Sequence, residues 1–579
     1  MMKESFLAEF PPVSTEAWEQ AIAADLKGGD AAKLTWHAEE GLAVKPFYRA
    51  EDVAGLGFLD AAPGEFPYVR GARAAGGWLI REEVDAGDAE EANRAARNAV
   101  AAGAEEIAFL GAKLESAADL AMLLSGLEGI PVHFDDERAV RLLMERLRTR
   151  PHGALISSGA NPLADLELTA QVLRDAPAGW MPFTIRAEEF QERGATAAEE
   201  AGFALAAGVD LLAEMRARGI GADGVADAVG FSFAMGPEFF VQMAKLRAFR
   251  MVWARAVESF GGSRAHARTH IVARTARWNR TVYDPHGNVL RATTEALSAV
   301  LGGADSICVA PFDECYPTPE EASRRLARNT QILLKLEAQL GRVADAGGGS
   351  YFVEALTDRI AAGAWKALRD VEAAGGYGKA AAAGTIERTL QQRMQARERD
   401  VASRRRVLTG TNRFADATER ALSRVEPAKT DGRRRAGEWF ERLRLRTERH
   451  AMWTGGKPRI LLAEIGDAKM RAARSQFAAD FLACAGLETQ AERFANAEEI
   501  AARDAELIVL CSSDAEYLAL ATELRSCLKA RGKATPVMVA GNPETAAQLG
   551  ELGVAQFIHL RSNALEALAE FEQRMGIED

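Results

Sequence analysis

Short apolar segments alternate with longer amphipathic segments over much of the chain. After Phe66, eight apolar segments are each followed by a stretch with helical spacing, such as Ala89–Ala102 or Pro237–Phe260. Strands that alternate with helices are typical of a parallel sheet covered on both faces, and eight such units predict a closed (β/α)8 TIM barrel. The predicted strands are Trp78–Val84, Glu106–Leu110, Pro131–Phe134, Ala154–Ser157, Pro182–Ile185, Gly230–Phe233, Thr269–Ala273 and Ser306–Ala310.

The alternation stops after the barrel and restarts near the C-terminus. Helical patterns run from Pro319 to about Arg406, and a polar, arginine-rich stretch from Thr409 to Lys457 is typical of an interdomain linker. Five further strand–helix units then predict a small, doubly wound, flavodoxin-like domain. Its predicted strands are Arg459–Ile465, Leu487–Gln490, Glu506–Cys511, Pro536–Ala540 and Gln556–Leu560.

The segment before the barrel is predicted to be an arm. It carries one amphipathic helix, from Ser14 to Lys27, and is too short and turn-rich to form its own core. Its large apolar side chains are typical of protein interfaces; they are Phe6, Leu7, Phe10, Trp18, Trp36, Phe47 and Tyr48. The predicted organisation is therefore an arm over 1–66, a barrel over 67–408, a linker over 409–457 and a C-terminal domain over 458–579.

Composition excludes several classes of protein. Of 579 residues, 48% are hydrophobic and 27% are charged, which indicates a folded globular protein. The net charge of −12, without a dense basic run, argues against nucleic-acid binding. No apolar run is long enough for a membrane span, and the N-terminus does not resemble a secretory signal. Five scattered cysteines predict neither a disulfide framework nor a zinc site, so we expect a cytoplasmic protein.

The residues themselves offer little recognisable chemistry. Asp467 and Lys469, in a loop with a single glycine, could contact a phosphate, although a helix-capping aspartate is the favoured interpretation. His266 and His270 fall next to a predicted strand, where their spacing does not converge on one metal ion. Five nearby arginines could hold a coenzyme A phosphate or form ion pairs at a subunit face; they are Arg264, Arg268, Arg274, Arg277 and Arg280. The sequence shows no hydrolase triad order or nucleophile elbow.

Several runs, in order along nearly the whole chain, resemble the methylmalonyl-CoA mutase family. They are Leu7–Val13, Gly64–Gly71, Met243–Ala248, Tyr283–Pro285 with Asn288–Arg291, Phe312–Glu314, Ala327–Gln331 and Pro458–Ala463. The resemblance implies an N-terminal arm, a TIM barrel that threads coenzyme A along its axis, a linker and a C-terminal cobalamin-binding domain. The order of arm, barrel, linker and C-terminal domain agrees with the one that the hydrophobic pattern predicts independently.

The cofactor loop departs from the family pattern. Catalytic members hold cobalt through the histidine of an Asp-x-His-x-x-Gly loop that a lysine precedes. When the chain is aligned on Arg459–Gly466, all four of these family residues are replaced. The lysine, aspartate, histidine and glycine correspond to Glu464, Ala468, Met470 and Ala473, respectively. A thioether cannot replace an imidazole whose second nitrogen is held by a carboxylate. The resemblance therefore implies that this chain binds neither cofactor nor metal.

The barrel departs in the same way. A Gly-Tyr-His-Met-Gln-Glu run of catalytic members corresponds to Ala187–Glu192, with Glu189 in place of the histidine, where a carboxylate would repel the substrate's own. The interval between Tyr68 and Trp78 lacks the tyrosine that lies near the corrin, and a Leu-His-Thr-Asn-Ser-like run becomes Ile307–Pro311. The segment that should carry the substrate-binding arginine, between residues 154 and 182, cannot be aligned. The resemblance thus implies no catalytic residues.

The implied function is that of a small, non-catalytic subunit in a heterodimeric mutase. Its partner would be the large catalytic subunit, which would bind adenosylcobalamin and interconvert methylmalonyl-CoA and succinyl-CoA. One alternative is a mutase-like chain that acts on another acyl-CoA, which the loss of both residue sets disfavours. Another is an acyl-CoA-binding regulator. The sequence leaves open whether the barrel binds coenzyme A, whether the chain forms a homodimer, and what the arginine cluster does.

Overall fold

A computed structural model of the chain describes residues 13–39, 41–112, 114–135, 139–149, 153–175, 180–316, 319–421, 423, 425 and 434–578. The predicted interface residues Phe6, Leu7 and Phe10 lie outside these ranges. Within them, the helices are all too short or too polar to cross a bilayer.

The arm has two parts with different packing. The predicted helix is present as α1 (Thr15–Asp25), which is capped by the Ser14 hydroxyl, and each of its residues is at least partly exposed. A hairpin follows, with β1 (Trp36–Glu39) antiparallel to β2 (Leu42–Val44). The later residues pack on the barrel of the same chain, where Val53 and Phe58 are buried. Helix α1 is therefore a projection, whereas the hairpin and the residues after it belong to the barrel surface, with Ala38 and Val44 buried in the barrel core.

The predicted barrel is present, with all of its strands parallel. The strands are β3 (Leu79–Asp85), β4 (Glu106–Leu110), β5 (Val132–Phe134), β6 (Ile156–Ser158), β7 (Trp180–Met181), β8 (Phe183–Arg186), β9 (Val229–Met235), β10 (Ile271–Thr275) and β11 (Ser306–Cys308). The predicted fifth strand, Pro182–Ile185, is present as β8, and the unpredicted strand β7 precedes it. The two are separated by Pro182, which has no N–H to donate to a ladder. Strand β7 pairs with β6 and β8 pairs with β9, so this segment closes the barrel.

Helices surround the barrel and continue beyond it. Those of the barrel region are α2 (Ala89–Ala101), α3 (Ala117–Leu124), α4 (Ala139–Thr149), α5 (Leu166–Asp175), α6 (Glu188–Glu192), α7 (Ala197–Ala217), α8 (Ala222–Ala228), α9 (Phe239–Ser259), α10 (Gly287–Leu301), α11 (Glu321–Ile332), α12 (Tyr351–Ala373), α13 (Tyr377–Ala382) and α14 (Thr385–Ala402). Helices α7 and α9 are buried along most of their length. They are joined by a buried ion pair, in which Lys245 Nζ lies 2.6 Å from Glu200 Oε2 and donates to the carbonyl of Ala234 at 2.5 Å.

The C-terminal domain has the predicted doubly wound form. Its parallel strands are β12 (Ile460–Glu464), β13 (Thr489–Arg493), β14 (Leu507–Cys511), β15 (Val537–Val539) and β16 (Val554–Phe557), in the order β13-β12-β14-β15-β16. The reversal of strand order at β12 is the flavodoxin-like arrangement. Its helices are α16 (Ala468–Ala483), α17 (Ala497–Ala502), α18 (Tyr517–Ala530), α19 (Ala546–Glu551) and α20 (Ala564–Arg574).

A helix inside the predicted linker joins the two domains. This helix, α15 (Glu438–Thr454), carries Phe440 into a core that the C-terminal domain shares with Trp278 of the barrel. On the same helix, Glu448 accepts a 2.5 Å hydrogen bond from the Tyr283 hydroxyl, and the Arg444 guanidinium lies 3.7 Å from the centre of the Tyr283 ring. Apolar packing and charged contacts therefore fix the C-terminal domain against the barrel.

Candidate functional site

A cavity of about 120 Å³ opens at the carboxyl ends of the barrel strands. Active sites of TIM barrels lie at this end, whereas the barrel interior is ordinarily filled by branched aliphatic side chains. Here the interior is strongly polar. Its polar lining residues include Arg81, Glu83, His133, Asp135, Thr184, Arg186, Glu188, Glu189, Ser232, Arg274 and Cys308. This concentration of buried charge marks the cavity as the candidate site.

One side of the cavity is closed by a pair of matched charges. Arg274 on β10 contacts Glu83 on β3 through two nitrogen–oxygen pairs at 2.9 and 3.1 Å, and it also lies 3.1 Å from Glu314. Burial by itself would raise the pKa of Glu83, but the Arg274 guanidinium holds that pKa at about 2. Because β11 lies between β3 and β10, the pair reaches across the barrel interior. It is fully ionised at neutral pH.

The other side of the cavity has too few cations for its carboxylates. The Arg186 guanidinium lies 2.7 Å from Asp135, 3.1 Å from Glu189 and 3.4 Å from Glu188. Burial raises the pKa of Glu188, whose carboxylate also accepts a hydrogen bond from the Ser232 hydroxyl. Glu189, in helix α6 shortly after β8, occupies the position that the resemblance assigns to a histidine in catalytic members.

A histidine lines the same cavity in its neutral form. Nδ1 of His133 lies 2.9 Å from the Ser157 hydroxyl, and burial lowers the pKa of the imidazole well below its ordinary value. The ring therefore carries no charge that would offset the surrounding carboxylates at neutral pH.

The structure separates the predicted arginine cluster instead of bringing it together. Arg274 and Arg280 form buried ion pairs, the latter with Glu295 at 2.6 Å and with Glu314 at 3.2 Å. Arg264 lies on the outer surface, 2.8 Å from Glu258. Arg264, Arg274 and Arg280 therefore do not form a single cluster.

A second cavity, of about 650 Å³, lies at the opposite end of the barrel. Arg268, His266 and His270 line it, together with Trp180. His266 pairs with Asp227 at 2.6 Å and not with His270. In the described part of the chain, the buried Trp180 Nε1 and His270 Nε2 atoms find no hydrogen-bond partner.

The loop after the first strand of the C-terminal domain forms an ordinary helix start. The Asp467 carboxylate accepts hydrogen bonds from the backbone N–H groups of Lys469 at 3.1 Å and Met470 at 2.8 Å. This is the capping role that the sequence favoured. Met470 consequently lies in the first turn of a regular helix, α16.

The loop that follows β14 is joined to this loop through the side chain of Glu516. The Glu516 carboxylate accepts from the Ser513 hydroxyl at 2.5 Å, from the Ser512 hydroxyl at 2.7 Å and from the Asp467 N–H at 3.2 Å. These bonds lower the pKa of Glu516 to about 2. A Cβ atom at Gly466, whose φ is +77°, would lie 2.5 Å from the same carboxylate. The two loops are thus held closely together.

We expect Glu516→Gln to make the stability of the chain less sensitive to acid. A carboxyl group whose pKa is lowered on folding stabilises the folded state above its unfolded pKa, and it loses that contribution as the pH falls toward its folded pKa. The difference in unfolding free energy between wild type and variant should therefore shrink as the pH falls from about 4.5 toward 2. Urea unfolding of both proteins from pH 5 to pH 3 measures it, and a constant difference would contradict the prediction.

Sequence reasoning missed the charged cluster around Arg186. Asp135 and Arg186 each follow a predicted strand directly, and Glu83 lies within one. Charged residues at such positions in a barrel were the available signal. The sequence could not show that Asp135 and Arg186, which come from different strands, make contact.

Comparison with known proteins gives consistent results. The family model described as methylmalonyl-CoA mutase matches residues 37–114 and 164–455. The chain is 36% identical to the methylmalonyl-CoA mutase small subunit of Porphyromonas gingivalis, over 99% of each chain. It is 32% identical to the small subunit of Streptomyces virginiae, over 99% of this chain and 98% of the relative. With the large subunit of Streptomyces virginiae it shares 30% identity, over 76% of this chain and 67% of the relative.

Proposed function

The chain belongs to the methylmalonyl-CoA mutase family, and we propose that it is the small, non-catalytic subunit of a heterodimeric mutase that interconverts methylmalonyl-CoA and succinyl-CoA. The similarity to proteins named small subunits extends from end to end, whereas the similarity to a large subunit covers about three quarters of the chain. The proposed partner is the large catalytic subunit.

The observation that carries this proposal is the position of Met470. The resemblance places the cobalt-binding histidine of catalytic members at this residue, which here lies in the first turn of a capped helix. A thioether has no second nitrogen for a carboxylate to hold, and the nearby Asp467 carboxylate already caps the helix. These residues do not fit a histidine-ligated cobalamin. We infer that adenosylcobalamin binds to the partner subunit alone.

The barrel interior supports the same proposal. The carboxylates around Arg186 would repel the carboxylate of a methylmalonyl group, because one guanidinium already faces three negative charges. The cavity of about 120 Å³ is also smaller than ordinary small-molecule sites, which span about 300–1,000 Å³. The fold is retained because it buries the apolar faces of the helices and presents a surface to the partner.

The larger cavity favours a second candidate function, that of an acyl-CoA-binding regulator. It combines the apolar surface of Trp180 and Met181 with Arg73 and Arg268, as an amphiphilic anion requires. Different residues line the two cavities, so a ligand held here need not reach the carboxyl ends of the strands.

Three measurements on the purified chain test these functions. We expect no change in the corrinoid absorbance spectrum on mixing with adenosylcobalamin, no turnover of methylmalonyl-CoA, and turnover once the large subunit is added. Stoichiometric corrinoid uptake or turnover by the chain alone would refute the proposal. A large subunit that is equally stable and active by itself would remove the partner role. Saturable binding of free coenzyme A in the same titration would support the second candidate.

A further inference from the structure

The cavity around Arg186 has an unbalanced charge. Asp135, Glu188 and Glu189 each place a carboxylate oxygen within 3.4 Å of this single guanidinium. When all three are ionised, they leave an excess of two negative charges. Two further arginines line the cavity without correcting the excess. Arg81 lies 3.6 Å from Glu106, and Arg274 is already surrounded by Glu83 and Glu314. Such a cavity attracts a further cation and repels an anion.

A buried hydroxyl in the same wall lacks a hydrogen-bond partner. Thr184 lines the cavity and is only 4% exposed. Its Oγ1 atom contacts neither donor nor acceptor among the residues that the structure describes. Buried polar groups in folded proteins are nearly always paired with protein, water or a ligand. Thr184 therefore offers one acceptor to a molecule in the cavity, independently of the acidic side chains.

The cavity also has an apolar part, and its volume limits the size of that molecule. Leu110 and Val272 contribute the apolar side chains of the lining. Its volume of about 120 Å³ is somewhat below that of an apolar cavity of about 150 Å³ that accommodates benzene. The space therefore fits an organic molecule of only a few non-hydrogen atoms, with a short apolar part.

We propose that this cavity binds a short primary alkylammonium ion. Its three N–H donors match the Thr184 hydroxyl and the carboxylates around Arg186, and its alkyl chain packs on Leu110 and Val272. A divalent metal ion is a poorer match, because the Arg186 guanidinium lies among the carboxylates and keeps them from converging on one ion. This binding site is separate from the role as a partner subunit, and it does not depend on that role.

The test is calorimetric titration of the purified full-length chain with n-propylammonium chloride. We expect saturable binding at one site. Sodium propionate, which has the same chain length and the opposite charge, and sodium chloride at equal ionic strength should give only heats of dilution. Propionate binding as tight as propylammonium binding, or a propylammonium signal that sodium chloride reproduces, would overturn the proposal.

Variants locate the site. Thr184→Val should weaken propylammonium binding about tenfold, which is the usual value of a hydrogen bond to a charged group, and Thr184→Ser should restore it. Glu189→Gln should weaken it because one of the three carboxylates is neutralised. Glu167→Gln is the matched control, since Glu167 faces Arg218 on the outer surface of the barrel. Unchanged binding in both Thr184→Val and Glu189→Gln would show that the cation binds elsewhere and would overturn the proposal.

Discussion

Removal of residues 1–34 should abolish pairing with the large subunit while the rest of the chain stays folded. The part of the arm that begins at Val13 projects from the barrel, and Trp18, which lies within the deleted segment, is 45% exposed. Large aromatic residues dominate the affinity of protein interfaces, where the loss of one typically costs at least about 2 kcal/mol, or about thirtyfold in affinity. The truncation ends before β1, so the hairpin and the residues that pack on the barrel remain. Size-exclusion chromatography of the mixed subunits measures the loss of the complex.

Point variants separate the arm's interface role from any effect on folding. Trp18→Ser should weaken the heterodimer without lowering the melting temperature of the isolated chain, because Trp18 is 45% exposed and packs beside the Phe47 ring of the arm, whose centroid lies 5.5 Å away. Leu560→Ser is the matched control, since Leu560 is 84% exposed in the C-terminal domain, outside the arm. A truncated chain that pairs with the large subunit at wild-type affinity would show that the arm covers its own barrel.

Lys245→Met should lower the unfolding free energy of the chain by about 3–5 kcal/mol, because it leaves a buried carboxylate without its cation. Glu200 and Lys245 are both fully buried, and the ammonium also donates to the Gln242 side chain at 2.6 Å. Burial raises the pKa of Glu200 to about 7 even in the presence of Lys245. Without the lysine, Glu200 must be protonated in the folded state, which costs progressively more as the pH rises above the unfolded pKa of about 4.5.

Urea unfolding at pH 5 and pH 8 tests this prediction. The deficit of Lys245→Met relative to wild type should be larger at pH 8, and Glu200→Gln in the same chain should recover part of it. Lys366→Met is the matched control, because Lys366 pairs with Asp370 on the exposed face of α12 and should contribute less than about 1 kcal/mol. A Lys245→Met chain as stable as wild type would contradict the assigned role of the ion pair.

Hydrophobic spacing was sufficient to predict both sheets, because each strand of a covered parallel sheet reads as a short apolar run. The same spacing missed strand β7, which lies just before Pro182, because a strand of only two residues shows no periodicity. The arm was predicted as one unit, whereas its two parts pack differently. Exposed Trp18 and buried Phe58 are both large apolar side chains, and only the tertiary packing distinguishes them.

The candidate site was less accessible to sequence reasoning. Glu189 and Met470 could be identified from the sequence because the resemblance aligns each of them with a histidine of catalytic family members. The ion pair between Asp135 and Arg186 depends on the distance between two strands of a closed barrel. No local sequence pattern encodes that distance. The same reason explains the arginine cluster: Arg264 and Arg274 are close in sequence, but one lies on the outer surface and the other in the interior.

The core that Trp278 shares with Phe440 imposes an order of assembly on the polypeptide as it is made. The barrel leaves the ribosome first, and domains generally fold as they emerge. The Trp278 indole then remains exposed at the barrel surface until α15 and the C-terminal domain have been synthesised and pack against it. Nascent chains that stop between the two domains therefore expose this apolar surface. Chaperones can bind to it, and truncated products can aggregate through it.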